Sequence, residues 1–218
     1  MNATTARYRR EQTRGEELAN SISHGVGLVA ALVASPFLLT RAAELDDAAF
    51  MVGVVIFAIA IVFQYLTSSL YHALPVGKLK QVLRVIEHSA IFVLIAGTYT
   101  PFTLGVLRGP WGWTLCAMVW TLALVGVVLK SSNRLFHPRL SNALFLLMGW
   151  LILVAIKPML DNVPVAGLLW LLAGGIAYTV GVAFYAASSR VRYAHFTWHL
   201  FVMLGTACHY VAVYGYAA

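Results

Sequence analysis

The chain has 218 residues, of which 61% are hydrophobic and only 11% are charged, and its mean hydropathy is +0.80. This composition is typical of an integral membrane protein rather than a soluble one. The net charge of +7 does not indicate nucleic-acid binding, because the fifteen Lys and Arg lie in the gaps between apolar stretches. Charges placed in this way indicate membrane topology.

The first nineteen residues are polar and contain no apolar core of the kind that a cleaved signal peptide needs. We therefore expect residues 1–19 to form an uncleaved N-terminal segment. Cys116 and Cys208 both lie inside apolar stretches, where free thiols behave as small hydrophobic groups. Two cysteines are too few to indicate a disulfide-stabilised fold.

Seven apolar stretches follow the N-terminal segment, each long enough to cross a hydrocarbon core of about 30 Å as a helix. Their approximate limits are 20–40, 48–72, 84–107, 111–130, 140–158, 164–187 and 193–216. Because the connections are short, the helices are expected to pack as one bundle. The sequence thus predicts an all-α integral membrane protein with a seven-helix transmembrane domain over residues 20–218.

The positive charges also predict how the bundle is oriented. Twelve of the fifteen Lys and Arg fall on the side that carries the N-terminus, whereas Arg41, Arg108 and Lys157 fall on the opposite side. Cytoplasmic loops carry the excess of Lys and Arg. We therefore expect a cytoplasmic N-terminus and an external C-terminus, which is the inverse of a G-protein-coupled receptor.

With this topology, four stretches that are remote in the sequence place polar residues at the same depth, in the cytoplasmic leaflet. The first stretch begins near Glu17, Asn20 and His24, the second ends at Ser68 and His72, the third begins near Glu87 and His88, and the seventh begins near His195 and His199. Ionisable groups inside a membrane are costly and usually functional. Their coincidence at one depth indicates a functional site.

His195 and His199 are four residues apart and share a helical face. Together with His72 they form a set of three imidazoles typical of a catalytic zinc site, with the fourth position open to water. Zinc lowers the pKa of such a water to about 7, so that it can attack a carbonyl group. His209 lies ten residues beyond His199, about 15 Å along the helix, and is predicted to be too deep to join.

Two further residues are predicted to be catalytic. Glu87 and His88 point about 100° apart, and we assign Glu87 to orient the water or to take its proton. Ser68, one turn from His72, is assigned to hydrogen-bond the water or a reaction oxyanion. For His24, a structural hydrogen bond within the bundle is an equally good interpretation.

The same residues belong to recognisable motifs. These are Glu17-x-x-Asn20-x-x-x-His24-Gly25, Ser68-Ser69-Leu70-Tyr71-His72, Glu87-His88-Ser89-Ala90-Ile91, Ala96-Gly97-Thr98-Tyr99-Thr100-Pro101-Phe102, His195-x-x-x-His199 and Cys208-His209-Tyr210. With them the chain resembles the hemolysin III family, the bacterial branch of the progestin and adipoQ receptor proteins, which is related to alkaline ceramidases. The resemblance implies a seven-helix bundle in the bacterial inner membrane.

The resemblance also implies zinc held by the positions of His72, His195 and His199, completed by the serine and by an acidic residue of the third helix. The family usually has Asp where this chain has Glu87, so Glu87 is either a direct ligand or a partner of the water. We expect a zinc-dependent intramembrane hydrolase of a lipid amide or ester, active in membrane-lipid homeostasis. The alternatives are a lipid or membrane-state sensor with structural zinc and a cytolytic pore-forming protein.

Overall fold

The computed structural model describes residues 10–132 and 138–218. Arg7, Arg9 and Arg134, which contribute to the predicted charge asymmetry, lie outside these residues. The elements are α1 (Arg14–Glu44), α2 (Ala48–Ala73), α3 (Lys78–Leu104), α4 (Pro110–Ser131), α5 (Pro138–Gly149), a 3-10 helix (Leu151–Ala155), α6 (Ile156–Asn162), α7 (Val165–Ala187) and α8 (Ala194–Tyr216).

Seven helical stretches within the described residues are long and apolar enough to cross a membrane. Six of them are single helices. The remaining one, Leu140–Asn162, is the fifth along the chain and combines most of α5 with the 3-10 helix and α6. The predicted all-α class and the seven spans are therefore confirmed. The orientation of the termini across the membrane stays a prediction.

The first helix begins at Arg14, inside the predicted N-terminal segment. Its start is fixed by a capping box, in which the Thr13 hydroxyl accepts from the backbone N–H of Glu16 and the Glu16 carboxylate accepts from that of Thr13. Reciprocal bonds of this kind satisfy two N–H groups that a helix start otherwise leaves unpaired. The cap lengthens α1 beyond its apolar stretch.

The fifth span is interrupted by the side chain of Tyr99 from α3. Its hydroxyl lies 2.8 Å from the carbonyl oxygen of Met148 and 2.9 Å from that of Gly149, and it accepts from the N–H of Ile152 at 3.0 Å. A side chain inserted into the hydrogen-bond ladder of a helix breaks its regularity. Accordingly, α5 ends at Gly149 and the chain continues as a 3-10 helix.

Each span packs against the next one along the chain, and α1 also packs against α8. This closes the bundle, so that the N-terminal halves of α1, α3 and α8 meet the end of α2. A cavity of about 310 Å³ lies inside the bundle, with an almost entirely apolar lining contributed by α2, α3 and the helices from α5 to α8. Trp198 of α8 is part of that lining.

Candidate metal centre

Three histidines from two helices converge at one end of the bundle. His72 lies in the last turn of α2, and His195 and His199 lie in the first two turns of α8. One ring nitrogen of each residue lies within 4.8 Å of the others, and the ring centroids are 4.8 to 5.0 Å apart. The structure therefore brings together the three residues that the sequence singles out as metal ligands.

A carboxylate from α1 fixes the ring of His72. The Glu17 Oε2 atom lies 2.8 Å from the Nδ1 atom of His72, and Glu17 Oε1 lies 3.0 Å from the Nζ atom of Lys80. A carboxylate can only accept at this position, so Nδ1 carries the hydrogen and Nε2 keeps its lone pair. Carboxylate–histidine pairs orient metal ligands in this way.

The ring of His199 is fixed in the same tautomer by the backbone of α1. Its Nδ1 atom lies 3.2 Å from the carbonyl oxygen of Asn20 and 3.1 Å from the Ser23 hydroxyl, which itself donates to Asn20. Nδ1 is therefore the donor, and Nε2 keeps its lone pair. His24 stacks on this ring, with centroids 3.6 Å apart and planes 5° from parallel.

The Nε2 atoms of His72, His195 and His199 are all buried and have no hydrogen-bond partner among the described residues. Burying polar atoms without partners costs free energy. Three such atoms, two of them with lone pairs fixed by their other nitrogen, match the donor set of a zinc site. The residues present therefore fit a bound metal ion.

Glu87 is buried beside the histidines, with 1% of its surface exposed. Its Oε2 atom lies 2.8 Å from the Nδ1 atom of His88, which also lies 2.6 Å from the Arg84 carbonyl oxygen. Since both neighbours are acceptors, Nδ1 of His88 carries the hydrogen and its Nε2 accepts from the Tyr185 hydroxyl at 3.1 Å. This chain of polar groups holds the Glu87 carboxylate in place.

Ser68 is completely buried on α2, one turn before His72. Its hydroxyl has no partner in the part of the chain that the structure describes, and the same holds for both ring nitrogens of His24. Ser68 thus has an available donor one turn from His72 on the same helix. His24 contacts the cluster through its stacked ring.

The loop before α8 is tied to the N-terminal segment. Arg10 donates twice to the Glu16 carboxylate, at 2.6 Å each, and donates to the carbonyl oxygen of Val191 at 3.3 Å. Glu16 also accepts from the backbone N–H of Tyr193 at 2.8 Å. Tyr193 has a left-handed backbone with φ of 59°, a conformation unfavourable for bulky residues. These bonds hold the turn that precedes His195.

Several of these partners do not follow from the sequence. Sequence patterns assign no individual role to Glu17, Asn20 or His88, and they do not single out Ser23 or Tyr185. The Glu17-x-x-Asn20 motif is the one sequence feature that could have indicated an outer partner for the histidines. His209, predicted to lie too deep, contacts the carbonyl oxygen of Leu171 at 3.4 Å.

Comparison with known proteins identifies the family of this chain. A family model described as "Haemolysin-III related" matches residues 12–210. The chain belongs to the haemolysin III family. The resemblance inferred from the motifs is therefore confirmed, and with the seven spans it makes this haemolysin III protein a multi-pass integral membrane protein.

Individual relatives cover nearly the whole chain. "Hemolysin-3" of Bacillus cereus is 40% identical, over 92% of this chain and 91% of the relative. "Hemolysin-3 homolog" of Bacillus subtilis is 42% identical, over 92% and 94%. "Monocyte to macrophage differentiation factor" of Homo sapiens is 28% identical, over 97% and 88%. No solved structure matches the chain.

Proposed function

We propose that this haemolysin III protein is a zinc-dependent hydrolase that cleaves an amide or ester bond of a membrane lipid. One observation carries the proposal: His72, His195 and His199 converge beside a buried carboxylate, and the Nε2 atom of each is buried without a partner among the described residues. Three histidines with an open fourth position form a catalytic rather than a structural zinc site. The proposal places this site in the cytoplasmic leaflet.

Bound zinc supplies a Lewis acid that polarises a carbonyl group and lowers the pKa of a water molecule to about 7. The protein's own groups then position the reactants and move the proton. Glu17 and the Asn20 carbonyl orient the imidazoles of His72 and His199. Because second-shell groups of this kind fix ring orientation and ligand basicity, they form part of the site.

Glu87 is the proposed general base. Its carboxylate lies near His72 and His195, and His88 holds one of its oxygens. It would take a proton from the attacking water and return it to the leaving amine or alkoxide. The Ser68 hydroxyl, which has no partner among the described residues, would donate to the oxyanion formed from the carbonyl.

The lipid character of the substrate is supported by the surroundings of the histidines. Trp198 contacts the rings of His195 and His199, at 4.9 and 5.2 Å between centroids, and also lines the apolar cavity. A lipid whose head-group linkage reaches the histidines could place its hydrocarbon chain in that cavity. A water-soluble substrate would leave about 310 Å³ of apolar space unused.

Metal analysis combined with a turnover assay tests the proposal. Purified protein should contain about one zinc ion per chain, and the His195→Ala variant should lose it whereas Cys116→Ala should retain it. A ceramide-like amide or an ester analogue should be hydrolysed, with activity lost to a chelator and restored by zinc. Folded protein that binds no zinc in zinc-containing buffer would overturn the proposal.

A second candidate is a lipid or membrane-state sensor in which zinc has only a structural role. It is favoured by the origin of the ligands, since His72 belongs to α2 and the other two histidines to α8, so that one ion would link two helices. A zinc-loaded protein that hydrolyses neither substrate would support the sensor. Unchanged cellular activity in Glu87→Gln would support it further.

A further inference from the structure

The apolar cavity is lined by two buried polar side chains that each carry at least one hydrogen-bonding atom without a partner among the described residues. Gln64 on α2 is 1% exposed, and neither its Oε1 nor its Nε2 atom is bonded. His209 on α8 is also buried, and its Nδ1 atom is unbonded. Both residues line the cavity. Unpaired polar atoms in an apolar interior are unfavourable unless a ligand completes their bonds.

Two threonines in the same cavity lining have hydrogen-bond partners, unlike Gln64 and the Nδ1 atom of His209. Thr98 and Thr179 also line the cavity, yet their hydroxyls donate to the carbonyl oxygens of Leu94 at 2.8 Å and Gly175 at 2.7 Å. Their hydrogen-bonding needs are met within their own helices. Among these four cavity-lining residues, Gln64 and the Nδ1 atom of His209 are therefore the groups available to a ligand.

The tautomer of His209 follows from the one hydrogen bond that its ring makes among the described residues. Its Nε2 atom lies 3.4 Å from the carbonyl oxygen of Leu171, which can only accept. Nε2 therefore carries the hydrogen in the neutral ring, and Nδ1 is a bare acceptor. The glutamine amide, in contrast, offers both a donor and an acceptor. The pair thus presents one acceptor and at least one donor to the cavity.

The position of the His209 ring is built into the packing of α7 and α8. A Cβ atom at Gly174 would lie 2.6 Å from the Nε2 atom of His209, so only glycine leaves room for the ring. Tyr178, one turn later on α7, also packs against the ring, with ring centroids 5.3 Å apart. The Tyr178 hydroxyl is 2.9 Å from that of Thr206. These contacts with α7 hold the His209 ring in position.

We propose that the cavity binds a lipid chain that carries a hydroxyl group along its length. The hydroxyl would donate to Nδ1 of His209 and accept from Nε2 of Gln64, because a hydroxyl offers one donor together with acceptor lone pairs. A plain hydrocarbon chain would leave both residues unpaired. The two residues therefore select hydroxylated chains over saturated chains of the same length.

The depth of Gln64 predicts where the hydroxyl lies. Gln64 precedes His72 by eight residues on α2, which corresponds to about 12 Å along the helix. An extended chain advances by about 1.25 Å per carbon–carbon bond, so the hydroxyl is expected roughly ten carbons from the linkage. This distance rests on the proposed function, because it places the head-group linkage at the histidines. The selection itself does not depend on cleavage.

Equilibrium binding to the full-length protein tests the selection. The ligands are stearic acid, its mid-chain hydroxylated derivative and the derivative hydroxylated beside the carboxyl. Binding is followed by intrinsic tryptophan fluorescence, to which Trp150 and Trp198 in the cavity lining contribute. The mid-chain derivative should bind about tenfold more tightly than either other acid, because its hydroxyl completes two buried hydrogen bonds.

Two variants should abolish this preference. Gln64→Leu removes the unpaired amide of Gln64, and His209→Leu removes the unpaired Nδ1 atom of His209. Because neither group has a partner among the described residues, folding should be retained. The matched control is Thr98→Val, since that hydroxyl is already bonded to Leu94. It should keep the tenfold preference. Melting temperatures measured in parallel verify that all three variants are folded.

Equal binding of the three acids to the wild type would overturn the proposal, since water alone would then satisfy Gln64 and His209. A preference that survives both leucine variants would overturn it as well. Parallel binding of a lysophospholipid with the mid-chain hydroxylated acyl group identifies the source of the chain, a free acid or a larger lipid. Repeating the assay in His195→Ala separates this test from hydrolysis, because selection should persist without turnover.

Discussion

Glu17 of α1 lies 2.8 Å from the Nδ1 atom of His72 on α2 and thereby fixes which nitrogen of that histidine faces the centre of the cluster. Glu17 also pairs with Lys80 at the start of α3. Three helices are therefore joined through one carboxylate. In this arrangement the orientation of a proposed metal ligand depends on a residue outside the ligand set.

Replacement of Glu17 by Gln should weaken zinc binding by about 10- to 100-fold, the range seen when outer partners of metal ligands are lost. The reason is that an amide oxygen is a weaker acceptor for the Nδ1 hydrogen of His72. Chelator competition on purified protein measures the effect. The exposed Glu11 supplies the control variant Glu11→Gln, which should bind zinc as the wild type does. Equal affinities in both variants would contradict the prediction.

The Glu87→Gln variant should retain zinc and lose hydrolysis by about 10²- to 10⁴-fold, the contribution typical of a general base. An amide cannot take the proton from the attacking water. Glu87→Asp keeps the carboxylate and should preserve far more activity. Metal content and turnover are measured on the same preparations. Loss of zinc in Glu87→Gln would instead make Glu87 a direct ligand.

Glu16→Gln should loosen the turn that precedes α8. The variant weakens the bonds from Arg10 and from the N–H of Tyr193, and hydrogen bonds to a charged group contribute about 2 kcal/mol. A loss of that size lowers a melting temperature by about 5 °C. Zinc affinity should fall as well, since the turn positions His195. Glu44→Gln, at the far and exposed end of α1, should change neither quantity.

Close packing of α2 and α3 depends on Gly97. A Cβ atom at this position would lie 2.7 Å from the Cβ of Ala60, nearer than side-chain carbons approach. Gly97→Ala should therefore destabilise the protein by about 1–3 kcal/mol. Gly215→Ala is the matched control, because nothing lies within 4 Å of its added Cβ. Thermal unfolding in detergent should show no loss, or a small gain, for that variant.

Acidification should weaken the cap of α2. The pKa of Asp47 is lowered by the backbone N–H of Phe50 and by the guanidinium of Arg108, which stabilise the carboxylate. The stabilisation is thus complete above the ordinary pKa of about 3.9 and is lost as the pH falls through the lowered value. Asp47→Asn retains an acceptor without the charge. Its melting temperature should lie below that of the wild type at neutral pH, and the difference should shrink in acid.

The membrane spans and the positions of the three histidines are predictable because they depend on patterns within single stretches of sequence. A run of apolar residues predicts a span by its length alone, so the seven spans appear directly in the sequence. The spacing of His195 and His199 predicts a shared helical face, and the alternation of span direction predicts that His72 lies at the same depth. These inferences need no knowledge of how the helices are rotated against one another.

The remaining features depend on helix rotation and axial offset, which no local pattern specifies. The stacking of His24 on His199, the bond from Glu17 to His72 and the pairing of Tyr185 with His88 each join residues from different helices. The break in the fifth span is caused by Tyr99, about fifty residues earlier.

Composition and residue spacing are sufficient to specify the membrane class, the seven spans and the polar residues that reach one depth. The packed bundle is needed to show which nitrogen of His72 and of His199 is available, and that Gln64 and His209 share one apolar cavity. This division arises because hydropathy and periodicity act within a helix. Hydrogen-bond satisfaction and cavities, in contrast, are properties of the packed bundle.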